Sequence, residues 1–181
     1  MGMAATIPYY TVDDLDRFPR DGNRYELLDG VLLVTLAPGT PHQLIVSRMM
    51  SVLLPAVQDP GHAFVLAPGV VSFPPGTQLE PDILVTPARF PVSERWSDVR
   101  DYWLAVEVYS RSSRIYDHDF KRDNYLKLGV KEVWLVDRVA RSVEVSRELG
   151  ANEVVRDVIV WRPPGLDVEV RVDLHAVFGG V

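Results

Sequence analysis

The stretch from Tyr102 to Val136 constrains the fold most. Tyr102–Val108 is strand-like and carries one charge, Glu107, in an otherwise apolar run, and Glu132–Val136 is a second strand. Between them a helix is expected to begin between Ser113 and Asp117 and to end at Gly129, a suitable left-handed terminator. A strand, helix and strand in succession call for a parallel pair joined by a crossover, so part of the sheet is parallel.

The rest reads as antiparallel. Thr11, followed three residues later by Asp14, starts a short helix that ends before Pro19. Arg24–Leu36 is a hairpin turned at Asp29-Gly30. Thr40-Pro41 opens a helix whose apolar positions (Leu44, Ile45, Met49, Val52, Leu53, Val57) recur at three- and four-residue steps, with Pro55 kinking or shortening it. Ala63–Leu66 and Val70–Phe73 are short strands split by Pro68-Gly69, and Ile83–Val85 is a buried strand led by Pro81-Asp82. Residues 86–100 form a loop with one helical turn. Further strands are expected at Val143–Val145, Val154–Trp161 and Val168–Val172, then a helical turn from Asp173. The pattern predicts an α/β protein with helices on both sheet faces. We expect one domain over residues 1–181: an N-terminal helix and hairpin (10–36), a core (about 40–137) and C-terminal strands (141–181).

Two carboxylates, Asp82 and Glu107, border or interrupt apolar strands, where a lone ionised carboxylate costs several kcal/mol unless it is paired. Each could be answered by its own salt bridge; alternatively, a shared divalent cation would answer both. The chain has no cysteine, which excludes thiolate sites and favours hard cations such as magnesium or manganese. Asp117, Lys121 and Tyr125 are spaced by four and share a helix face. Taken alone, Asp117 and Lys121 read most simply as a surface ion pair.

Charge pulls the other way. The net charge of −6 is unfavourable for a partner rich in phosphate. It is uneven, however: Arg111–Lys131 holds six basic side chains against three acids, an arrangement a solvated helix face also explains. No apolar run is long enough to span a bilayer and no signal peptide is visible at the N-terminus, so a cytoplasmic location and no membrane partner are expected.

Pro81-Asp82, Glu107-Val108 and a following lysine resemble the PD-(D/E)XK nuclease superfamily, with its restriction-endonuclease-like mixed sheet flanked by helices. More closely, the chain resembles the Uma-type family of restriction-endonuclease-like proteins, long carried as a domain of unknown function. The matching pieces are Arg24-Tyr-Glu-Leu-Leu-Asp-Gly30, His42-Gln43, Glu80-Pro-Asp82, Val106-Glu-Val-Tyr-Ser110, Asp117-His-Asp-Phe-Lys121, Tyr125, Gly129–Asp137 and Leu174–Phe178. The block from 107 to 137 is the specific part. One place departs from the superfamily pattern: two residues after Glu107, where a lysine is expected, stands Tyr109, which carries no positive charge. In the Uma-type branch the lysine is relocated to the following helix, at the place of Lys121.

The resemblance implies a magnesium- or manganese-dependent endonuclease that hydrolyses phosphodiester bonds of nucleic acid, with DNA favoured and RNA left open. Asp82, Glu107 and the Val108 backbone carbonyl would hold the ion, Lys121 would orient water or offset charge on the phosphate, and Asp117 and Tyr125 would fix the lysine. Glu26 matches a further acidic position of the family, though from its strand alone it could equally face solvent. A homodimer is compatible with cutting two strands. From a different class, a DNA-binding or protein-interaction module with little or no catalysis on the same fold agrees with the acidic charge and with Tyr109. A hydrolase of small phosphoesters is a third reading.

Overall fold

The computed structural model describes residues 8–90, 92–109 and 120–181. Strands are β1 (Arg24–Leu28), β2 (Val31–Thr35), β3 (Ala63–Leu66), β4 (Val71–Phe73), β5 (Thr77–Leu79), β6 (Ile83–Pro87), β7 (Tyr102–Tyr109), β8 (Val130–Asp137), β9 (Ser142–Glu148), β10 (Ala151–Val155), β11 (Val158–Trp161) and β12 (Val170–Asp173). Helices are α1 (Thr40–Leu53), α2 (Arg122–Lys127) and α3 (Leu174–Phe178).

A six-stranded sheet in the order β10-β9-β8-β7-β6-β3 forms the centre, and within it only β7 and β8 run parallel. This is the pair that the strand–helix–strand pattern demands. One face packs against α1, α3 and the β11–β12 ribbon, through Ile45, Met49 and Leu53 against Val106, Trp134 and Trp161. The opposite face is covered by α2 together with a four-stranded sheet in the order β2-β1-β5-β4, through Leu28, Leu79, Leu84, Ala105, Tyr125 and Leu135. Helices do lie on both faces, but the second face owes much of its cover to the hairpin sheet.

Local chemistry sets most boundaries where the sequence places them. The amide and hydroxyl of Thr11 both donate to Asp14 Oδ2 at 2.8 Å, at the head of the 3₁₀ turn Val12–Arg17. Asp29 and Gly30 adopt φ of 50° and 79°, the left-handed pair that a two-residue hairpin turn needs. Pro41 sits in the first turn of α1, and the helix gives way at Leu53 to a wider turn, Leu54–Gln58, that contains Pro55. Asp173 accepts the His175 amide at 2.8 Å and caps α3.

Some expectations are corrected. Strand β4 begins at Val71, pairs with β5 in the small sheet, and belongs to a different sheet from β3. The chain crosses between sheets at Pro68-Gly69, where a Cβ on Gly69 would fall 2.1 Å from Leu84 Cβ. The expected single strand Val154–Trp161 is two strands in two sheets, divided by a bend at Arg156-Asp157. The expected start of the helix after Glu107 lies outside the described residues; its described part begins at Arg122, with Lys121 already in helical backbone (φ −67°, ψ −44°). Among the described residues no helix is long and apolar enough to cross a membrane.

Candidate active site

Three elements, β1, α1 and α2, meet at one end of the β6–β7 pair. The antiparallel register aligns Ile83 with Val106 and Leu84 with Ala105. Continued by one residue, it sets Asp82 beside Glu107, and Asp82 Oδ2 accepts the Val108 amide proton at 2.8 Å. Strand β1 contributes Arg24 and Glu26, which share a face because side chains alternate along a strand. The head of α2 contributes Lys121 and, one turn on, Tyr125. The first turn of α1 contributes His42.

The side chains form a continuous network. Lys121 Nζ donates to Glu26 Oε2 at 2.7 Å and to Glu107 Oε1 at 3.3 Å, and the Tyr125 hydroxyl donates to the same Glu107 oxygen at 2.6 Å. Glu26 Oε1 accepts the Glu80 amide at 2.7 Å. Arg24 donates through Nη2 to Asp82 Oδ1 at 2.7 Å and through Nη1 to the Glu80 carbonyl at 2.7 Å, and its Nη1 lies 3.9 Å from Glu107 Oε2. His42 Nε2 meets Asp82 Oδ2 at 2.9 Å. Glu26, Asp82, Glu107, Lys121 and Tyr125 are all buried, Glu26 and Tyr125 completely.

Burial and charge pull the carboxylates apart in acidity. Burial pushes Glu107 up to about 8, and the nearby Asp82 and Glu26 charges add to this against the attraction of Lys121. Burial also raises Asp82, but there the hydrogen bond from His42, the Arg24 charge and the Val108 amide prevail, and its pKa falls below the usual carboxylate value. Glu80 is raised by burial and by Glu26. The Tyr125 phenol is raised well above its ordinary value by burial and by the Glu107 charge, so it remains a donor. Two neighbouring carboxyls with opposed shifts are a frequent mark of a functional site.

Among the described residues, four carboxylates (Glu26, Glu80, Asp82, Glu107) share this region with two permanent cations, Arg24 and Lys121. With all four ionised, these carboxylates outnumber the two basic side chains, and burial together with this crowding raises Glu107 and Glu80. A magnesium or manganese ion would supply the missing charge, and the hard oxygens of Asp82 and Glu107 suit such an ion. The donor set therefore fits. The two carboxylates share a guanidinium rather than a ready-made cage, and no three acidic or histidine side chains among the described residues are grouped for metal binding. A cleft of about 660 Å³ opens above the cluster, with Arg24, His42, Asp82, Glu107 and Lys121 at its base and Val31–Gly39 along one wall.

The structure thus brings together Asp82, Glu107, Lys121, Glu26 and Tyr125. Glu26 lies in the buried network and not at the solvent. Val108 meets Asp82 through its amide. Asp117 lies outside the described residues. Tyr109 is buried in one cluster with Ala105 and Leu135, while Lys121 Nζ reaches Glu107 from the helix. Arg24 was not singled out from sequence, although its position two residues before Glu26 on an alternating strand marked the shared face. His42, part of the His42-Gln43 piece that carries the family resemblance, is here a partner of Asp82. Trp134 packs edge-on against Trp161, and Asp137 accepts two turn amides at 2.8 Å.

Comparison with known proteins agrees with this architecture. The model of the Uma2 family, described as "Putative restriction endonuclease", matches residues 12–173. A crystal structure of a protein from Anabaena variabilis ATCC 29413, described as a putative nuclease belonging to DUF820, superposes with a TM-score of 0.77 at 21% identity, covering 93% of this chain and 97% of that one. At that identity the likeness speaks to the fold. No curated protein matches the chain.

Proposed function

The chain belongs to the Uma2 family, and from that membership we propose that it is an endonuclease hydrolysing phosphodiester bonds of DNA with the help of magnesium or manganese. The observation that carries the proposal is the convergence of Asp82, Glu107 and Lys121, from three separate elements, at the base of one cleft.

Asp82, Glu107 and the Val108 carbonyl would hold the ion. Once bound, it supplies Lewis acidity toward a phosphate oxygen and makes water a usable nucleophile at neutral pH. The chain's own residues do the rest. Lys121, held between Glu26 and Glu107, places an ammonium where negative charge builds on the phosphate during attack. Tyr125 fixes one Glu107 oxygen and leaves the other for the ion. Glu26 is a positioning residue that acts through Lys121. The Val31–Gly39 wall borders the cleft in which the nucleic acid would lie.

The test is incubation of the purified protein with supercoiled plasmid, single-stranded DNA and RNA, with manganese, magnesium or EDTA. The proposal expects metal-dependent nicking of DNA that is lost in Asp82→Ala and in Lys121→Ala. Nicking that persists unchanged in either variant, or in EDTA, would overturn it. DNA binding without cleavage under every metal would move the protein to the binding-module reading.

A further inference from the structure

We propose that Arg24 is the resident counter-ion of the candidate metal site, and that a divalent cation enters by displacing its guanidinium from between Asp82 and Glu107. The proposal rests on the metal-dependent reading above and adds a competition to it.

The argument is geometric. Arg24 touches Asp82 Oδ1 at 2.7 Å and stands 3.9 Å from Glu107 Oε2, so one guanidinium faces both carboxylates that the ion would use. It holds them unequally, tightly to Asp82 and loosely to Glu107, since a single positive charge on a planar fork that also donates to the Glu80 carbonyl is not aimed at both. A divalent cation and a guanidinium cannot occupy the same gap, because like charges in a partly dehydrated pocket repel strongly.

Of the two basic side chains described in the cluster, Arg24 is the freer to leave. Both reach the cleft, but the Lys121 side chain is 3% exposed and held by Glu26 at 2.7 Å and Glu107 at 3.3 Å, whereas the Arg24 side chain is 19% exposed. Its backbone is paired with Thr35 of β2, so it can stay in place while the side chain swings outward. Arg24 thereby keeps Asp82 and Glu107 facing each other before the ion arrives, at the cost of weakening the ion's affinity.

The experiment measures manganese binding to the full chain by electron paramagnetic resonance, for the wild type, Arg24→Met and Arg24→Lys. Removing a charge-assisted competitor tightens binding by roughly tenfold or more, so Arg24→Met should show a Kd lower by about that factor. Arg24→Lys keeps the competing charge and should stay within about threefold of the wild type. A merely structural Arg24 would instead weaken binding in Arg24→Met.

Should Arg24→Met fold poorly, the wild type alone decides the matter. The Arg24 Nε–H signal in a nitrogen-15 NMR spectrum should shift in step with magnesium occupancy, and a signal unchanged at saturation overturns the proposal. Metal bound by the wild type with equal or weaker binding in Arg24→Met removes the displacement alone. Absence of metal binding in all three proteins removes the metal-dependent reading, and the displacement with it.

Discussion

Replacing Glu107 by glutamine should make the protein progressively more stable than the wild type as pH rises. The two side chains have the same shape, and Oε1 of glutamine still accepts from Tyr125 and Lys121, so the difference is the charge. In the folded protein burial pushes Glu107 up to about 8, against 4.5 ordinarily. A carboxyl raised in the folded state contributes stability that is fully present below its unfolded value and is lost as pH rises through its folded value. At about 1.4 kcal/mol per pH unit, the wild type loses roughly 3 kcal/mol relative to Glu107→Gln between pH 5 and pH 7.5. For a chain of this length that corresponds to about 6–12 °C in Tm. The assay is a series of thermal and urea melts of both proteins in EDTA from pH 5 to pH 9. The difference should widen steadily up to about pH 8 and then level. A gap that stays constant, or closes as pH rises, would falsify the claim that Glu107 is held in a dehydrated, acid-crowded place.

Other consequences follow from the same network. Lys121→Met leaves Glu26 and Glu107 buried without their cation, and should cost about 3–5 kcal/mol in a urea melt; adding Glu26→Gln to it should restore part of the loss, whereas full additivity would deny that the two residues are coupled. Tyr125→Phe removes the donor at 2.6 Å from Glu107 and should cost about 1–3 kcal/mol. Its nicking rate should fall while substrate affinity holds, and a change in affinity alone would contradict the positioning role. Gly69→Ala drives a methyl group to 2.1 Å from Leu84 Cβ, and should lose about 1–3 kcal/mol without altering metal affinity; an unchanged melt would show that the two sheets part there more easily than their packing indicates.

Much of this arrangement is legible in the sequence because its signals are local. The Asp29-Gly30 turn, the Thr11–Asp14 cap and Pro41 at a helix head are set by neighbours in the chain, and each stands where expected. Glu107 is conspicuous as the one charge in an apolar strand, and its raised pKa is the physical form of that signal. Long-range matters were less readable. Thr77–Leu79 is too short to show a strand period, and nothing in Val154–Trp161 announces that its halves belong to different sheets. Arg24 lies 58 residues from Asp82 and looks like an ordinary polar residue opening a hairpin. Only the packing of the small sheet against the end of β6 makes it a partner. The same holds for His42, 40 residues from the carboxylate it meets.

The most direct measurement is a crystal soaked in manganese and examined by anomalous scattering, with an Asp82→Ala crystal treated identically. The account predicts one strong peak between the carboxylates of Asp82 and Glu107, with Lys121 remaining beside Glu107, and no peak there in the variant. A soaked crystal with no peak at that place, or with manganese bound only elsewhere, would contradict it.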